Sequence, residues 1–207
     1  TRPKLVILSS RYKCHKNLSS IKNKQLISLN LGFEKIINKT SPYNGKSLGS
    51  GEDILLILFT SGTTGYPKGA KISHRAFIYR SLYFAFEYNI DKNDLFPAWA
   101  PMFHMASTDL AIGSLLIGGS VAFIDGFSSR VIYSLIKSYK LSWLVLMPGM
   151  LEEFISFVDG KKIKIKGIKA MGAMADLIPK NQITKITSLL DTPYLNSFGS
   201  TETGMPP

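Results

Sequence analysis

The sequence contains a single cysteine, Cys14, among 207 residues, so no disulfide can form within the chain. A lone thiol is typical of proteins from a reducing compartment. The chain also lacks an apolar run long enough for a spanning helix. Its longest run, residues 110–124, is interrupted by glycine and falls short of the roughly 20 residues required. The first residues show no secretory signal pattern. These absences predict a cytoplasmic protein without a transmembrane segment.

Acidic side chains are scarce: 14 acidic residues stand against 25 basic ones, which gives a net charge of +11. This excess favours anionic partners such as nucleotides, coenzyme A, nucleic acid or a membrane surface. The densest basic stretch, residues 161–169 (KKIKIKGIK), alternates lysine with apolar residues. The alternation predicts a half-exposed strand, or the approach to one, with its lysines in solvent rather than on nucleic acid. The abundance of Lys, Ile, Asn and Ser is also typical of an AT-rich genome, which would explain the charge without a function.

Short apolar segments alternate with helical patterns, which predicts βαβ units and an α/β fold with a layered, largely parallel sheet flanked by helices. The predicted strands cover residues 4–8, 25–31, 54–59, 95–99, 120–124, 143–147, 168–171 and 194–197. The predicted helices cover residues 33–37, 74–88 (capped by Ser73 and mostly buried), 107–116, 129–140, 150–158 and 179–190. A linker rich in Ser, Gly, Asn and Pro, residues 41–51, divides a preceding segment, residues 1–50, from a core, residues 51–207.

The most informative stretch is TSGTTGYPKG, residues 60–69, which we call the glycine-rich loop. It follows the apolar run 54–59, which predicts a buried strand. Its hydroxyls and glycines suit a phosphate, because glycine lets backbone N–H groups approach an anion closely. Lys68 adds a positive charge for the outer phosphates. A Walker P-loop is excluded, since Pro67 replaces its second glycine and Gly69 its Ser or Thr. A flexible linker is the alternative, although a linker has no reason to carry Pro-Lys-Gly behind a core strand.

A second informative stretch, FGSTETG at residues 198–204, follows the last predicted strand. Phe198 offers an aromatic face that can stack on a base. Thr201 offers a hydroxyl to a phosphate, and Glu202 is an oxygen ligand suited to Mg²⁺. The alternative interpretation is a turn with a surface glutamate.

Four segments directly follow predicted strands: the glycine-rich loop, the segment that contains His104, Gly172-Ala173, and residues 198–202. In parallel sheets, ligands bind beyond the carboxyl ends of the strands. We therefore expect these four segments to gather along one edge of the sheet.

The motifs resemble the signatures of the adenylate-forming superfamily, which contains acyl- and aryl-CoA synthetases, peptide-synthetase adenylation domains and firefly-type luciferases. All ten positions of residues 60–69 fit T-S-G-T-T-G-x-P-K-G, and residues 198–202 fit aromatic-G-x-T-E with Phe in place of the usual Tyr. Residues 101–104 (PMFH) are similar to the P-x-F-H segment of the acyl- and aryl-CoA ligase branch. The family's G-G-A-P turn is matched only at Gly172 and Ala173, which leaves the shape of the acyl pocket open.

The resemblance implies ATP-dependent activation of a small carboxylic acid to acyl-AMP, followed by transfer of the acyl group to coenzyme A. It implies ATP, Mg²⁺ and coenzyme A as cofactors. In this interpretation the catalytic residues are His104 facing the carboxylate, Lys68, Thr201 at the α-phosphate, and Glu202 as the magnesium ligand. The implied nucleotide-binding residues are Thr60, Ser61, Gly62, Thr63, Thr64, Gly65, Lys68, Gly172, Ala173, Asn196, Phe198, Gly199 and Thr201.

Two alternatives stay open: an adenylation domain that loads a carrier protein, and a non-catalytic nucleotide-binding module. A basic protein that binds nucleic acid, or contacts a membrane peripherally, is a third alternative supported by charge alone. The resemblance extends from the strands before the glycine-rich loop to Gly204. We therefore expect part of the large N-terminal domain of a synthetase, without its C-terminal domain and inactive alone.

Overall fold

The computed structural model describes residues 5–9, 26–29, 31–60, 65–172 and 175–205. The chain divides into two compact units, Thr1–Leu48 and Gly49–Pro207. In the first unit, β1 (Val6–Ser9) pairs in parallel with β2 (Leu26–Leu29), and α1 (Leu31–Lys39) follows. Both predicted strands of this unit are confirmed within a few residues. The predicted helix 33–37 is confirmed and extends two residues further at each end.

The second unit contains a two-stranded antiparallel sheet and a four-stranded parallel sheet. Its elements are β3 (Ile54–Phe59), β4 (Gly69–Ser73), α2 (His74–Glu87), β5 (Leu95–Ala98), α3 (Met105–Leu116), β6 (Ser120–Phe123), α4 (Ser129–Ser138), β7 (Leu141–Leu144), α5 (Met150–Val158), β8 (Ile168–Met171), a 3-10 turn (Ala175–Leu177) and α6 (Lys180–Leu190). The parallel sheet has the order β6-β5-β7-β8, so the predicted α/β class is confirmed. Among the helices of the described residues, none has the length and apolarity needed to cross a membrane.

Two cores cover the faces of the parallel sheet. On one face, α4, α5 and α6 pack against β7 and β8, with Ile132, Phe154 and Leu144 almost fully buried. On the other face, α2 and α3 pack around Trp143. Neighbouring residues Trp143 and Leu144 therefore belong to opposite cores, as strand geometry requires. Burial of one such side chain contributes about 1.5–3 kcal/mol, so the two helix layers fix the sheet between them.

The apolar run 54–59 forms β3, but the prediction that it is a buried strand is wrong. The chain turns back after the glycine-rich loop, and β4 pairs with β3 in antiparallel fashion, with Phe59 opposite Gly69. Only one face of this hairpin packs on the described core, so Leu58 is buried whereas Phe59 is 57% exposed. The strand β4 was missed, although its alternation of exposed Lys71 with buried Ile72 is typical of a half-buried strand.

The helix α2 begins after Ser73, whose side chain accepts a hydrogen bond from the Ala76 N–H as an N-cap, as predicted. The expectation that α2 is mostly buried is wrong, because Tyr79 is 67% exposed and Phe86 is 85% exposed. Its buried residues Phe77, Ser81 and Phe84 form one stripe at helical spacing. Only that stripe faces the described core.

Two predicted strands differ in the structure. The predicted strand 194–197 is reduced to a single bridge between Tyr194 and Met171. The predicted strand 143–147 lies two to three residues earlier, as β7. The strand ends early because the carbonyls of Val145 and Leu146 accept hydrogen bonds from side chains and not from a neighbouring strand.

The basic stretch 161–169 is the irregular approach to β8, and most of its lysines are exposed as predicted. Lys169 is the exception. Its Nζ lies 3.6 Å from Asp91 Oδ2 and 4.0 Å from Oδ2 of the buried Asp94, and it donates a hydrogen bond of 2.6 Å to the Asn89 carbonyl. These charges connect the start of β8 to the turn before β5, at the amino edge of the sheet.

Candidate active site

The strand order places a topological switch between β5 and β7. The connection that leaves β5 runs to β6 on one side, and the connection that leaves β7 runs to β8 on the other. The crevice beyond the carboxyl ends of two such strands is where α/β sheets bind ligands. A cleft of about 430 Å³ opens at this crevice. Its walls are formed by His104, Met105, Ala106, Leu110, Trp143, Val145, Met147, Gly172, Ser197, Phe198, Gly199, Ser200, Thr201 and Met205.

Three of the four segments expected at one edge meet in this cleft. They contribute His104, Gly172 and residues 198–201. The glycine-rich loop does not line it at Thr60, Gly65 or Lys68. The expectation that this loop follows a strand of the parallel sheet is therefore wrong, because β3 belongs to the separate hairpin. Five predicted nucleotide-binding residues lie outside the described residues: Ser61, Gly62, Thr63, Thr64 and Ala173.

His104 is the N-cap of α3 and lies at the mouth of the cleft. Its Nδ1 accepts a hydrogen bond of 3.2 Å from the Ala106 N–H. With Nδ1 as the acceptor, the neutral imidazole carries its proton on Nε2. Two hydroxyls of α3 hold the loop before the histidine: Ser107 donates to the Ala100 carbonyl at 2.7 Å, and Thr108 donates to the Met102 carbonyl. The fold therefore fixes the imidazole as a hydrogen-bond donor.

Two aromatic side chains hold the segment that follows β7. The Trp99 indole N–H donates to the Val145 carbonyl at 3.0 Å, and the Tyr194 hydroxyl donates to the Leu146 carbonyl at 2.6 Å. In a longer strand these carbonyls would continue the two ladders of β7, that of Val145 toward β5 and that of Leu146 toward β8. Because side chains bond them instead, residues 145–147 separate from the sheet and form a wall of the cleft. The partners are 46 and 48 residues apart, so neither bond leaves a local signal in the sequence.

Another part of the cleft wall depends on Gly172, which has a φ of +127°. A Cβ atom at this position would lie 2.3 Å from the Leu195 carbonyl oxygen and 2.8 Å from the Leu195 nitrogen. The Gly172 carbonyl accepts a hydrogen bond of 3.2 Å from the buried indole N–H of Trp143. Only glycine allows the end of β8 and residue 195 to approach this closely.

The segment after Tyr194 carries the second sequence motif along the cleft. The Phe198 ring is 76% exposed and lines the cleft, and Thr201 is partly exposed beside it. Glu202 is exposed in the turn 200–204 and is not among the residues that line the cleft. Asn196, a predicted nucleotide-binding residue, accepts a hydrogen bond of 3.0 Å from the Ala175 N–H through Oδ1. Its amide therefore connects this segment to the turn after β8.

The glycine-rich loop is closed at its base by residues that the sequence had assigned to phosphate. The Thr60 N–H donates to the Lys68 carbonyl at 2.9 Å, and the Lys68 N–H donates to Thr60 Oγ1 at 3.2 Å. The Lys68 ammonium makes no ion pair with a carboxylate in the described part of the chain. Leu58 and Ile72 of the hairpin belong to one apolar cluster with Phe77 and Met105, and Met105 also lines the cleft. The hairpin that carries the loop thus shares an apolar cluster with the first residue of α3.

This architecture is the N-terminal-domain fold of adenylate-forming enzymes. A putative long-chain-fatty-acid CoA ligase from Rhodopseudomonas palustris has a similar structure, with a TM-score of 0.82 and 18% sequence identity. The similarity covers 99% of this chain and 52% of that one. The chain belongs to the AMP-binding enzyme family, whose family model matches residues 1–206.

Curated relatives of the chain include two CoA ligases. The 2-succinylbenzoate–CoA ligase (chloroplastic/peroxisomal) of Arabidopsis thaliana is 29% identical over 104 residues, which are 50% of this chain and 19% of that protein. The indoleacetate–CoA ligase of Aromatoleum aromaticum is 25% identical over 150 residues, which are 72% of this chain and 29% of that protein. The chain thus spans about a fifth to a third of the length of the curated relatives it matches.

Proposed function

We propose that the protein containing this chain activates a carboxylic acid with ATP, forming acyl-AMP and pyrophosphate, and transfers the acyl group to coenzyme A. The observation that carries the proposal is the meeting of His104, Phe198 and Thr201 in one cleft at the switch point of the sheet. The relatives that act on 2-succinylbenzoate and indoleacetate support a CoA ligase and favour coenzyme A over a carrier protein as the acceptor.

The glycine-rich loop is proposed to hold the β- and γ-phosphates. Lys68 is exposed and without a carboxylate partner among the described residues, so its charge is available to an anion. The hydrogen bond between the Thr60 N–H and the Lys68 carbonyl closes the loop at its base. The loop has therefore already lost part of its conformational entropy, so phosphate binding costs less. Catalysis of phosphoryl and adenylyl transfer depends mainly on such positioning and charge neutralisation.

The cleft is proposed to hold the adenosine and the acid. The exposed Phe198 ring can stack on adenine, and the Thr201 hydroxyl can donate to the α-phosphate. The Nε2–H of His104 can donate to the carboxylate that attacks phosphorus. The remaining lining side chains are mostly apolar, including Met105, Leu110 and Trp143. Such a lining suits an acid with an apolar or aromatic body.

Glu202 is the proposed magnesium ligand. No group of three or more His, Cys, Asp or Glu residues that could enclose a metal ion occurs in the described ranges. This absence of an all-protein cage fits Mg²⁺, which usually binds through one or two carboxylates together with substrate phosphates. When bound, the ion neutralises phosphate charge. Glu202, exposed on the turn beside the cleft, would hold it there.

The Lys68→Ala variant tests the phosphate assignment in the full-length protein. A charge-assisted contact contributes about 1.5–3 kcal/mol, so kcat/KM for ATP should fall roughly ten- to a hundredfold in ATP–pyrophosphate exchange. The matched control is Lys71→Ala, which removes the same charge from an exposed position on the same hairpin. Equal kinetics for the two variants would remove the glycine-rich loop from the mechanism.

The Glu202→Gln variant tests the magnesium assignment, because it keeps the size of the side chain and removes its charge. The half-saturating Mg²⁺ concentration in pyrophosphate exchange should rise about tenfold or more, while KM for the carboxylic acid changes little. Glu152→Gln, at an exposed position on α5, is the control for a general loss of negative charge. A variant whose acid KM moves while its magnesium dependence does not would place Glu202 in the acid pocket instead.

A further inference from the structure

The ion pair between Arg80 of α2 and Asp109 of α3 lies next to the cleft. Arg80 Nη2 donates to Asp109 Oδ1 at 2.7 Å, and both side chains are about nine-tenths buried. Burial raises the pKa of Asp109 to about 6, although the neighbouring Arg80 counteracts part of the rise. A buried ion pair is weak evidence for a stabilising role, because desolvation offsets most of its attraction. Its position suggests another use.

The aliphatic part of Arg80 lies against the turn 200–204. A Cβ atom on Gly204 would be only 2.9 Å from Arg80 Cδ and 3.4 Å from its Nε and Nη1. The Gly204 backbone therefore packs directly on the arginine side chain. Met205, the next residue, lines both the cleft and a small cavity beside the Arg80–Asp109 pair.

The turn itself is closed by its own hydrogen bonds. The Ser200 N–H donates to the Gly204 carbonyl at 3.0 Å, and the Gly204 N–H donates to the Ser200 carbonyl at 2.9 Å. Thr203 bonds to Ser200 and to the Gly204 carbonyl. Within the described ranges, all these bonds are internal to the turn. The contacts that join the turn to α2 and α3 are the packing of Gly204 on Arg80 and of Met205 on the neighbouring apolar clusters.

We propose that Arg80, held by Asp109, is a positioning residue that fixes the turn 200–204 and so places Thr201 and Glu202 for the nucleotide and its metal. Asp109 fixes the guanidinium of Arg80, and the aliphatic part of Arg80 packs against Gly204. The two hydrogen bonds between Ser200 and Gly204 then fix the positions of the residues between them. The roles of Thr201 and Glu202 rest on the proposed function. The mechanical link from Arg80 to the turn rests on the contacts alone.

The first test measures hydrogen–deuterium exchange without nucleotide in the full-length protein. Arg80→Ala with Asp109→Asn removes the support without leaving an unpaired buried charge. Exchange at the Ser200 and Gly204 amides should become about tenfold faster, while exchange in β7 is unchanged. Arg80→Met with Asp109→Asn keeps an unbranched stem over Gly204 and should restore slow exchange. The control is Asp159→Asn with Lys185→Ala, which removes an exposed ion pair between a lysine and an aspartate.

The second test measures pyrophosphate exchange. The Arg80→Ala, Asp109→Asn protein should need about tenfold more Mg²⁺ for half-saturation, with KM for the acid unchanged. If the alanine protein does not fold, Asp109→Asn alone weakens the same anchor and should still speed exchange at the two amides about threefold. Unchanged amide exchange in every folded variant overturns the proposal. Faster amide exchange in a protein whose wild type shows no pyrophosphate exchange supports the mechanical link and refutes the proposed function instead.

Discussion

Replacement of Gly172 by alanine is expected to lower the free energy of unfolding by about 4 kcal/mol, through overpacking and a strained backbone together. The added Cβ would lie 2.3 Å from the Leu195 carbonyl oxygen, and the backbone has a φ of +127°. Backbone atoms on both sides of the contact leave no flexible side chain that could move away. The end of β8 and residue 195 would have to separate, and the cleft wall between them would change shape.

Chemical denaturation of the wild type and the variant measures this loss. Gly126→Ala is the matched control, because Gly126 has a φ of +82° but no atom within 4 Å of the added Cβ. That control should lose only the cost of a left-handed backbone, about 1 kcal/mol. A Gly172→Ala protein no less stable than the Gly126→Ala protein would contradict the close approach described here.

The Asp109 carboxyl is expected to make stability fall as the pH rises from about 4 to above 6. Its pKa is raised by burial from an ordinary 3.8 to about 6. In that interval the folded protein therefore holds a proton that the unfolded chain has released, and the contribution is complete only below the unfolded value. A shift of this size corresponds to about 3 kcal/mol.

The measurement compares the free energy of unfolding of the wild type and Asp109→Asn between pH 4 and pH 7. The asparagine variant cannot titrate at this position, and the other carboxyls are common to both proteins. Because pH 4 already lies just above the unfolded pKa, the wild type should lose about 2.4 kcal/mol of that total relative to the variant over this range. If the free energies of unfolding of the two proteins follow parallel curves with pH, the attraction of Arg80 offsets the desolvation of the Asp109 carboxylate.

Elements with strong local patterns could be predicted from the sequence. The helix α5 (Met150–Val158) and the strand β8 (Ile168–Met171) have the predicted bounds. Both are short segments with turn residues at their ends. Their apolar residues recur at the spacing of a helix in α5 and of a strand in β8, and the buried residues of both segments are apolar. The predicted helix 129–140 was likewise confirmed as α4 (Ser129–Ser138), because apolar residues at helical spacing are a local signal.

The hairpin β3–β4 could not be placed from its sequence, because an apolar run does not specify its partner. Whether such a run pairs in parallel or antiparallel fashion depends on where the chain goes next. The glycine-rich loop was interpreted as the end of a parallel strand, whereas it returns the chain onto β3. The exposure of Phe59 follows from that pairing, since a two-stranded sheet here packs on one face only.

The motif residues of the candidate site were identified from the sequence, but the residues that position them were not. Trp99, Tyr194 and Arg80 act through contacts with residues at least 29 positions away. Nothing in a local pattern distinguishes such a residue from an ordinary core aromatic or a surface charge. The roles assigned to His104 and Glu202 stay predictions until the variants are measured.

The parallel arrangement of β5, β7 and β8 has a consequence for the synthesis of the protein. The cleft is built from residues between 104 and 205, and the segment that forms its last wall is attached through contacts of Leu195 with Met171, Tyr194 with Leu146, and Gly204 with Arg80. Parallel strands need a crossover between each pair, so every wall depends on contacts distant in sequence. A chain still on the ribosome cannot assemble the cleft until Met205 has emerged, whereas the hairpin β3–β4 can close as soon as Ser73 is free.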